Sequence, residues 1–268
     1  MIYVTGATGF IGRHTVQALL NKGHKVTVIF RDLEKLESMP WVDQVDGIMC
    51  DLYEDFSPLV SNLKAEDILV HLAWKGLPNF KEAFHLTENL PRELAFLHAA
   101  LEKGLKHLMV TGTCYEYGLQ NGALGIDLET KPIAAYPLAK DVLRKALEIL
   151  TVQYDVVFQW VRLFYMYGEG QNPKSLYPLV QAALARGDKE FAMSGGEQLR
   201  DYMKVEDLAT FLTTVVEDKT RTGLINCCSG TPISVRRLVE SWVQGRMELK
   251  LGVYPYPDYE PMAFWGID

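Results

Sequence analysis

The chain opens Met1-Ile2-Tyr3-Val4-Thr5-Gly6-Ala7-Thr8-Gly9-Phe10-Ile11-Gly12. Ile2–Thr5 reads as a short buried strand, and it runs straight into glycines at Gly-x-x-Gly-x-x-Gly spacing. The glycines have separate jobs. Gly6 permits the tight turn out of the strand, Gly9 lets the backbone approach a pyrophosphate, and Gly12 lets helix and strand pack closely. The helix that follows, Ile11–Asn21, would present its N-terminal N–H groups to phosphate. Thr8, Phe10 and Ile11 complete the loop that would hold a dinucleotide. A Gly-rich turn with no ligand is the plain alternative. A strand before, a helix after and a further βα unit favour the dinucleotide.

The alternation continues downstream. Lys25–Phe30, Gly47–Cys50, Ile68–His71, His107–Thr111 and Val156–Val161 are short and apolar, as buried strands are. Helical patterns lie between them at Leu33–Ser38, Phe56–Asn62, a long stretch ending near Glu102, and Pro137–Thr151. This rhythm predicts an α/β fold with a doubly wound parallel sheet of the Rossmann type. Ligands of such sheets bind beyond the carboxyl ends of the strands. After Tyr167 the rhythm changes. A loop at Gly168–Pro173 precedes a helix at Ser175–Arg186, a strand at Phe191–Met193 and a turn at Ser194-Gly195-Gly196. Helices are expected at Val205–Glu217 and Ser234–Gln244, ahead of a tail rich in Pro, Tyr and Trp. Residues 1–167 thus form the dinucleotide-binding domain, with 188–230 contributing in part. Residues 168–187 and 231–268 form a small C-terminal substrate lobe over the carboxyl edge of the sheet.

Composition removes several function classes. The net charge of −7 disfavours nucleic acid or an anionic membrane as the main partner. The four cysteines, Cys50, Cys114, Cys227 and Cys228, show no C-x-x-C spacing, and the histidines form no H-x-x-x-H pair, so no metal site is expected. The chain opens on a strand rather than a signal peptide and has no apolar run of membrane-spanning length, which makes a cytoplasmic protein the expectation.

Two further clusters carry chemistry. Tyr136-Pro137-Leu138-Ala139-Lys140 puts a Tyr and a Lys on one helical face at i, i+4. A free phenol has a pKa near 10. A nearby ammonium and an oxidised nicotinamide would lower it, and the same Tyr could donate its proton to an alkoxide in the reverse direction. Thr113, after the fifth strand, could hydrogen-bond the substrate oxygen. With the glycine loop, these residues point to a nicotinamide-dependent enzyme. At the end of the second strand stands Ile29-Phe30-Arg31-Asp32. Phe30 occupies the place of the usual acid and Arg31 could accommodate a 2′-phosphate, which favours NADP over NAD. A solvated surface charge is the other account of Arg31, and Asp32 reads as a helix N-cap. Asp51-Leu52 follows the third strand; Asp51 could accept from the adenine amino group or cap a turn.

On these residues the chain resembles the extended short-chain dehydrogenase/reductases, specifically their nucleotide-sugar branch. Thr5–Gly12 matches the opening motif and His71-Leu72-Ala73 the fourth-strand motif, which implies that Leu72 and Ala73 lie beside the cofactor. Asn89 stands where the family has an Asn in its long helix. Thr111-Gly112-Thr113-Cys114-Tyr115-Glu116-Tyr117-Gly118 matches the segment with the catalytic Ser or Thr. Arg162–Gly168 and Leu199–Asp207 match two more family segments. The resemblance implies a catalytic set of Thr113, Tyr136 and Lys140, and substrate contacts from Trp74, Thr113, Tyr115, Tyr165 and Arg200. The Arg matching Arg200 contacts the substrate diphosphate in the family; a salt bridge with Asp201 or Asp207 is the structural alternative. Departures narrow the chemistry. The sugar 4,6-dehydratases carry Asp-Glu where this chain has Cys114-Tyr115, which argues against dehydration. Tyr165 replaces a common Asn and Trp74 a small residue, which implies a reshaped sugar pocket.

The segments and the tail Tyr256-Pro257-Asp258-Tyr259-Glu260-Pro261-Met262-Ala263-Phe264-Trp265-Gly266 look most like those of bacterial reductases of dTDP- or CDP-linked 4-keto-6-deoxyhexoses, which make deoxysugars for surface polysaccharide. Relatives usually continue with one more helix, which leaves truncation at Asp268 open. The resemblance therefore implies NADP(H)-dependent reduction at C4, with NAD as the second cofactor. A 4-epimerase with bound NAD needs the same side chains, and a non-catalytic dinucleotide sensor is the reading from another class. A homodimer through the two long helices is implied by analogy alone.

Overall fold

The structure, a computed structural model, describes residues 1–268. In chain order its first half contains β1 (Ile2–Thr5), α1 (Phe10–Asn21), β2 (Val26–Phe30), α2 (Leu33–Glu37), β3 (Asp46–Met49), α3 (Ser57–Val60), β4 (Ile68–His71), α4 (Leu90–Glu102), β5 (His107–Thr113), β6 (Gly122–Leu124) and α5 (Ala135–Gln153). The second half contains β7 (Val157–Leu163), β8 (Tyr165–Tyr167), α6 (Leu176–Arg186), β9 (Glu190–Ala192), β10 (Leu199–Lys204), α7 (Val205–Glu217), β11 (Gly223–Cys227), β12 (Pro232–Ser234), α8 (Val235–Val243), β13 (Glu248–Lys250) and β14 (Phe264–Gly266).

Seven parallel strands form the main sheet in the order β11-β7-β5-β4-β1-β2-β3. Apolar residues on both sides of each strand demand cover on both faces. Val4, Val28 and Val70 face one way, onto Val16 and Leu19 of α1 and Leu208, Leu212 and Val216 of α7. Tyr3, Leu69 and Leu108 face the other way, onto Phe96 and Leu97 of α4 and Leu143 and Leu147 of α5. The alternation of Tyr3 with Val4 and of Leu69 with Val70 is the period of a strand. Strand order reverses between β1 and β4, and Thr5 pairs with both Ile29 and His71. The glycine turn, Arg31 and Leu72-Ala73 therefore leave the sheet at one edge.

Six strands were expected and a seventh, β11, joins outside β7. Its Gly223-Leu224-Ile225-Asn226-Cys227 hides the signal because a buried Asn interrupts the apolar run. That amide is fully employed. It donates to the carbonyls of Leu124 (2.9 Å) and Ile267 (2.8 Å) and accepts from the Tyr117 hydroxyl (2.9 Å). The second half also holds three small sheets: β12-β10-β8, β13-β9 and β14-β6. Val180 and Ala183 of α6 pack on Val239 and Val243 of α8 and on Met193, under the β13-β9 pair. The aromatic tail is not irregular throughout, since Phe264–Gly266 adds in parallel to β6. Helix α3 is shorter than expected, and the long helical pattern before Glu102 begins with a π-helical turn at His85–Asn89.

Candidate active site

The crevice at the strand-order reversal is built around the glycine turn. Gly6 has φ +67°, and a Cβ there would lie 2.8 Å from the Ala73 nitrogen. A Cβ on Gly12 would overlap the Gly6 carbonyl and come within 2.7 Å of Ala7 Cα, so α1 can sit this close to β1 only with glycine. Helix α1 starts at Phe10 behind Gly9, which supplies no side-chain cap, and its first turn carries no acid. Its leading N–H groups are thus left for an anion, and a pyrophosphate fits that cradle. Opposite, the Thr5 hydroxyl accepts from the Leu72 and Ala73 N–H groups (3.2 and 3.3 Å) and lies 2.8 Å from His71 Nδ1. Its own hydrogen therefore goes to Nδ1, and His71 turns a protonated Nε2 toward Glu93, 2.7 Å away. Glu93 also accepts from the Tyr53 hydroxyl at 2.5 Å, which ties α4 to the loop after β3.

At the far end of the crevice Arg31 is 58% exposed and donates to Asp51 at 3.3 Å. Asp51 also accepts from the Tyr53 N–H at 2.9 Å, and Glu54 and Asp55 line the same hollow. The Asp32 carboxylate caps α2 through the Lys35 N–H at 3.0 Å, as expected. Leu52 is buried in the core beside Ile29 rather than displayed in the crevice.

Thr113, Tyr136 and Lys140 meet at the carboxyl end of β5. Lys140 is 2% exposed, donates to the Thr111 carbonyl at 2.9 Å and lies 4.2 Å from the centre of the Trp74 ring. Burial lowers its pKa to about 8, against the opposing pull of the Glu93 and Glu116 carboxylates. The Tyr136 phenol was expected to be lowered by this ammonium together with an oxidised nicotinamide. Instead burial raises it well above 10, the Glu116 charge and Cys114 add to the rise, and a hydrogen bond with Thr113 opposes it. The main cause is burial, and the ammonium meanwhile donates to the Thr111 carbonyl and lies over the Trp74 face. Glu116 supports the cluster from below. It accepts from the Thr113 N–H (2.9 Å), from Trp160, and from Arg162 Nε (2.7 Å), all buried.

Trp74, expected in the sugar pocket, stands between the catalytic side chains. Its ring also meets Tyr136 edge-on at 5.7 Å, and its indole N–H donates to His85 Nδ1 at 3.0 Å. No motif had pointed to His85. Asn89 donates to the Lys75 carbonyl (2.8 Å) and lies 3.2 Å from the same His85 nitrogen.

The remaining substrate candidates line an aromatic cavity of about 530 Å³. Tyr115 and Tyr165 donate to one oxygen of Glu260 (2.8 and 2.5 Å), and Arg200 pairs with the other at 2.9 Å. The guanidinium also donates to the Leu199 and Met262 carbonyls and covers the Phe264 ring at 4.6 Å. Arg200 therefore pairs with neither Asp201 nor Asp207. Asp201 is taken by the Ser229 and Gly230 N–H groups (2.7 and 2.9 Å). Of the five N–H donors of an Arg, four are engaged, which leaves at most one for a phosphate. Glu260 was not singled out, although it lies in the tail segment; its partners are 60 to 145 residues away in sequence. Tyr115 and Tyr259 also wall a neighbouring cavity of about 660 Å³ beside Phe80 and Pro137.

Comparison with known proteins identifies the family and the fold. The NAD dependent epimerase/dehydratase family matches residues 2–228. The dTDP-6-deoxy-L-talose 4-dehydrogenase (NAD(+)) of Aggregatibacter actinomycetemcomitans is 32% identical over 99% of this chain and 98% of its own length. The UDP-glucose 4-epimerase of Corynebacterium glutamicum is 27% identical over 89% of this chain and 78% of its own. Among solved structures, the UDP-N-acetylglucosamine 4-epimerase of Methanobrevibacter ruminantium M1 superposes with a TM-score of 0.82 at 24% identity, covering 98% of this chain and 88% of that one.

Proposed function

The chain belongs to the NAD dependent epimerase/dehydratase family, and from that premise we propose that it reduces the C4 keto group of a nucleotide-linked 6-deoxyhexose. The observation that carries this reading is the meeting of Thr113, Tyr136 and Lys140 at the carboxyl end of β5. A nicotinamide, when bound, supplies the hydride. Tyr136 gives its proton to the oxygen at C4, Thr113 holds that oxygen, and Lys140 stands behind them with a hydrogen left for a ribose hydroxyl. The glycine turn and the uncapped start of α1 hold the pyrophosphate, with Thr8, Phe10 and Ile11 around it. The similarity to a dTDP-6-deoxy-L-talose 4-dehydrogenase along nearly the whole chain supports a dTDP-linked sugar, with CDP as the other base.

The cofactor preference is revised from NADP(H) to NAD(H). Arg31 already pairs with Asp51, and Glu54 and Asp55 line the same hollow, so a 2′-phosphate there would meet carboxylates. A homodimer is supported by the exposed apolar stripe Leu138, Val142, Ile149 and Val152 along α5.

The test is incubation with NADH or NADPH and dTDP-4-keto-6-deoxyglucose, following nicotinamide absorbance and the sugar product. Stoichiometric oxidation with formation of the 4-hydroxy sugar supports the reductase. Isomerisation of a nucleotide sugar without net oxidation supports a 4-epimerase, the second reading, which the likeness to UDP-glucose 4-epimerase favours. Dinucleotide binding without turnover of any nucleotide sugar supports a sensor.

A further inference from the structure

We propose that His85 is a positioning residue that fixes the Trp74 indole over the Lys140 ammonium. An indole N–H can only donate. It lies 3.0 Å from His85 Nδ1, so Nδ1 must offer a lone pair. The ring hydrogen then sits on Nε2, which donates to the Asn79 carbonyl at 3.0 Å. The Asn89 amide approaches the same Nδ1 at 3.2 Å as a second donor. Three neighbours thus demand one neutral tautomer of a fully buried ring. His85 and Asn89 open and close one π-helical turn, which carries both side chains on one side of it. On its other side the indole covers Lys140 Nζ at 4.2 Å and touches the Tyr136 ring. The backbone of Tyr136 is tied to the same loop through its N–H on the Phe80 carbonyl, at 2.9 Å.

A proton on Nδ1 would face two N–H donors and eject the indole. The charged and titratable groups around His85 are Glu82 on its own segment, Tyr136 of α5 at 5.5 Å between ring centres, and Lys140 across the indole. Burial lowers the His85 pKa, with the Asn79 carbonyl and Glu82 opposing. The neutral ring therefore holds the indole at neutral pH and releases it in acid.

The inference rests on the reductase reading for its kinetic arm alone, because its first test needs no substrate. In ¹⁵N-tryptophan-labelled protein, the Trp74 indole resonance is identified by its loss in Trp74→Phe. It should lie downfield and move upfield on acidification in a single step. His85→Asn, whose side-chain oxygen can replace Nδ1, should keep the downfield shift and abolish the step. His85→Phe should give the upfield position at every pH. Kinetically, His85→Phe should lower kcat about tenfold with KM for the nucleotide sugar changed less than about twofold. His85→Asn should restore kcat and remove the acid limb of its pH profile. An indole resonance indifferent to both substitutions overturns the proposal, and so does wild-type kcat in His85→Phe with the indole displaced. If wild-type protein turns over no nucleotide sugar, the functional reading fails and the resonance decides this one.

Discussion

Tyr136 and Lys140 were legible as a pair from their spacing, but their electrostatics were not. The phenol is raised by burial and by the charge of Glu116, which is held by the Thr113 N–H three residues away and by Trp160 and Arg162, both remote in sequence. Tyr136→Phe removes the proton donor and leaves the crevice intact. It should lower kcat roughly a hundredfold or more, with cofactor affinity unchanged by calorimetry. Near wild-type turnover would remove Tyr136 from the chemistry. Lys140 titrates at about 8, below its ordinary value, so its ammonium is present below that pH and lost above it. The pH profile of kcat/KM should therefore fall as pH rises through about 8. A profile flat well into the alkaline range would contradict the burial argument. At Arg31 the sequence suggested a phosphate contact, and the structure answers with Asp51. The wild-type enzyme should prefer NADH, and Arg31→Ala should change kcat/KM for NADH and NADPH by similar factors. A tenfold or larger preference for NADPH that Arg31→Ala abolishes would restore the 2′-phosphate role.

At the scale of elements, strong periodicity was readable and short pairing was not. Val205–Glu217 stands where its apolar spacing put it, Ser175–Arg186 gives up only Ser175 as its N-cap, and Ser234–Gln244 gives up Ser234 as N-cap and Gln244 as a left-handed C-cap. Strands of three residues, such as Tyr165–Tyr167 and Pro232–Ser234, have no room for a period, and partners elsewhere in the chain decide them. The turn at His85–Asn89 is decided the same way, by what Trp74 and Lys75 ask of it. Helix α5 shows both kinds of information on its two faces. Its inner face carries Tyr136, Lys140, Leu143 and Leu147, all buried. Its outer face carries Leu138, Val142, Ile149 and Val152 at 38, 41, 72 and 82% exposure. An apolar stripe on an otherwise mixed surface marks an interaction site. Wild-type protein should elute as a dimer in light-scattering chromatography, and Ile149→Glu with Val152→Glu as a monomer that still binds dinucleotide. A wild-type monomer at tens of micromolar would leave the stripe without that partner.

The whole molecule is a doubly wound sheet with three small sheets beside it, and the tail crosses between them. Tail residues Phe264–Gly266 extend β6, while Glu260 reaches Arg200 of β10 and the tyrosines at Tyr115 and Tyr165. Nothing in their spacing pairs Arg200 with Glu260, because an Arg in a strand and a Glu in a Pro-rich tail share no spacing rule. Their pairing has a consequence for stability. Arg200 is 2% exposed and Glu260 11%, so neither charge is well hydrated. Removing one partner of a buried pair costs about 3 kcal/mol or more, because the other stays buried and uncompensated. For a chain of this length each kcal/mol lowers Tm by roughly 2 °C, so Arg200→Ala should melt about 6 °C below wild type. Glu260→Gln keeps an acceptor for the tyrosines but strands the guanidinium, and should also destabilise. Replacing both with apolar residues, Arg200→Met with Glu260→Leu, should recover part of the loss, since both charges leave together. Calorimetry with dTDP then separates the two roles open to Arg200. An anchor for the tail predicts a lowered Tm in Arg200→Ala that Glu260→Gln shares. A phosphate ligand predicts weaker dTDP binding in Arg200→Ala alone, with Tm within about 1 °C of wild type, a shift worth under roughly 1 kcal/mol.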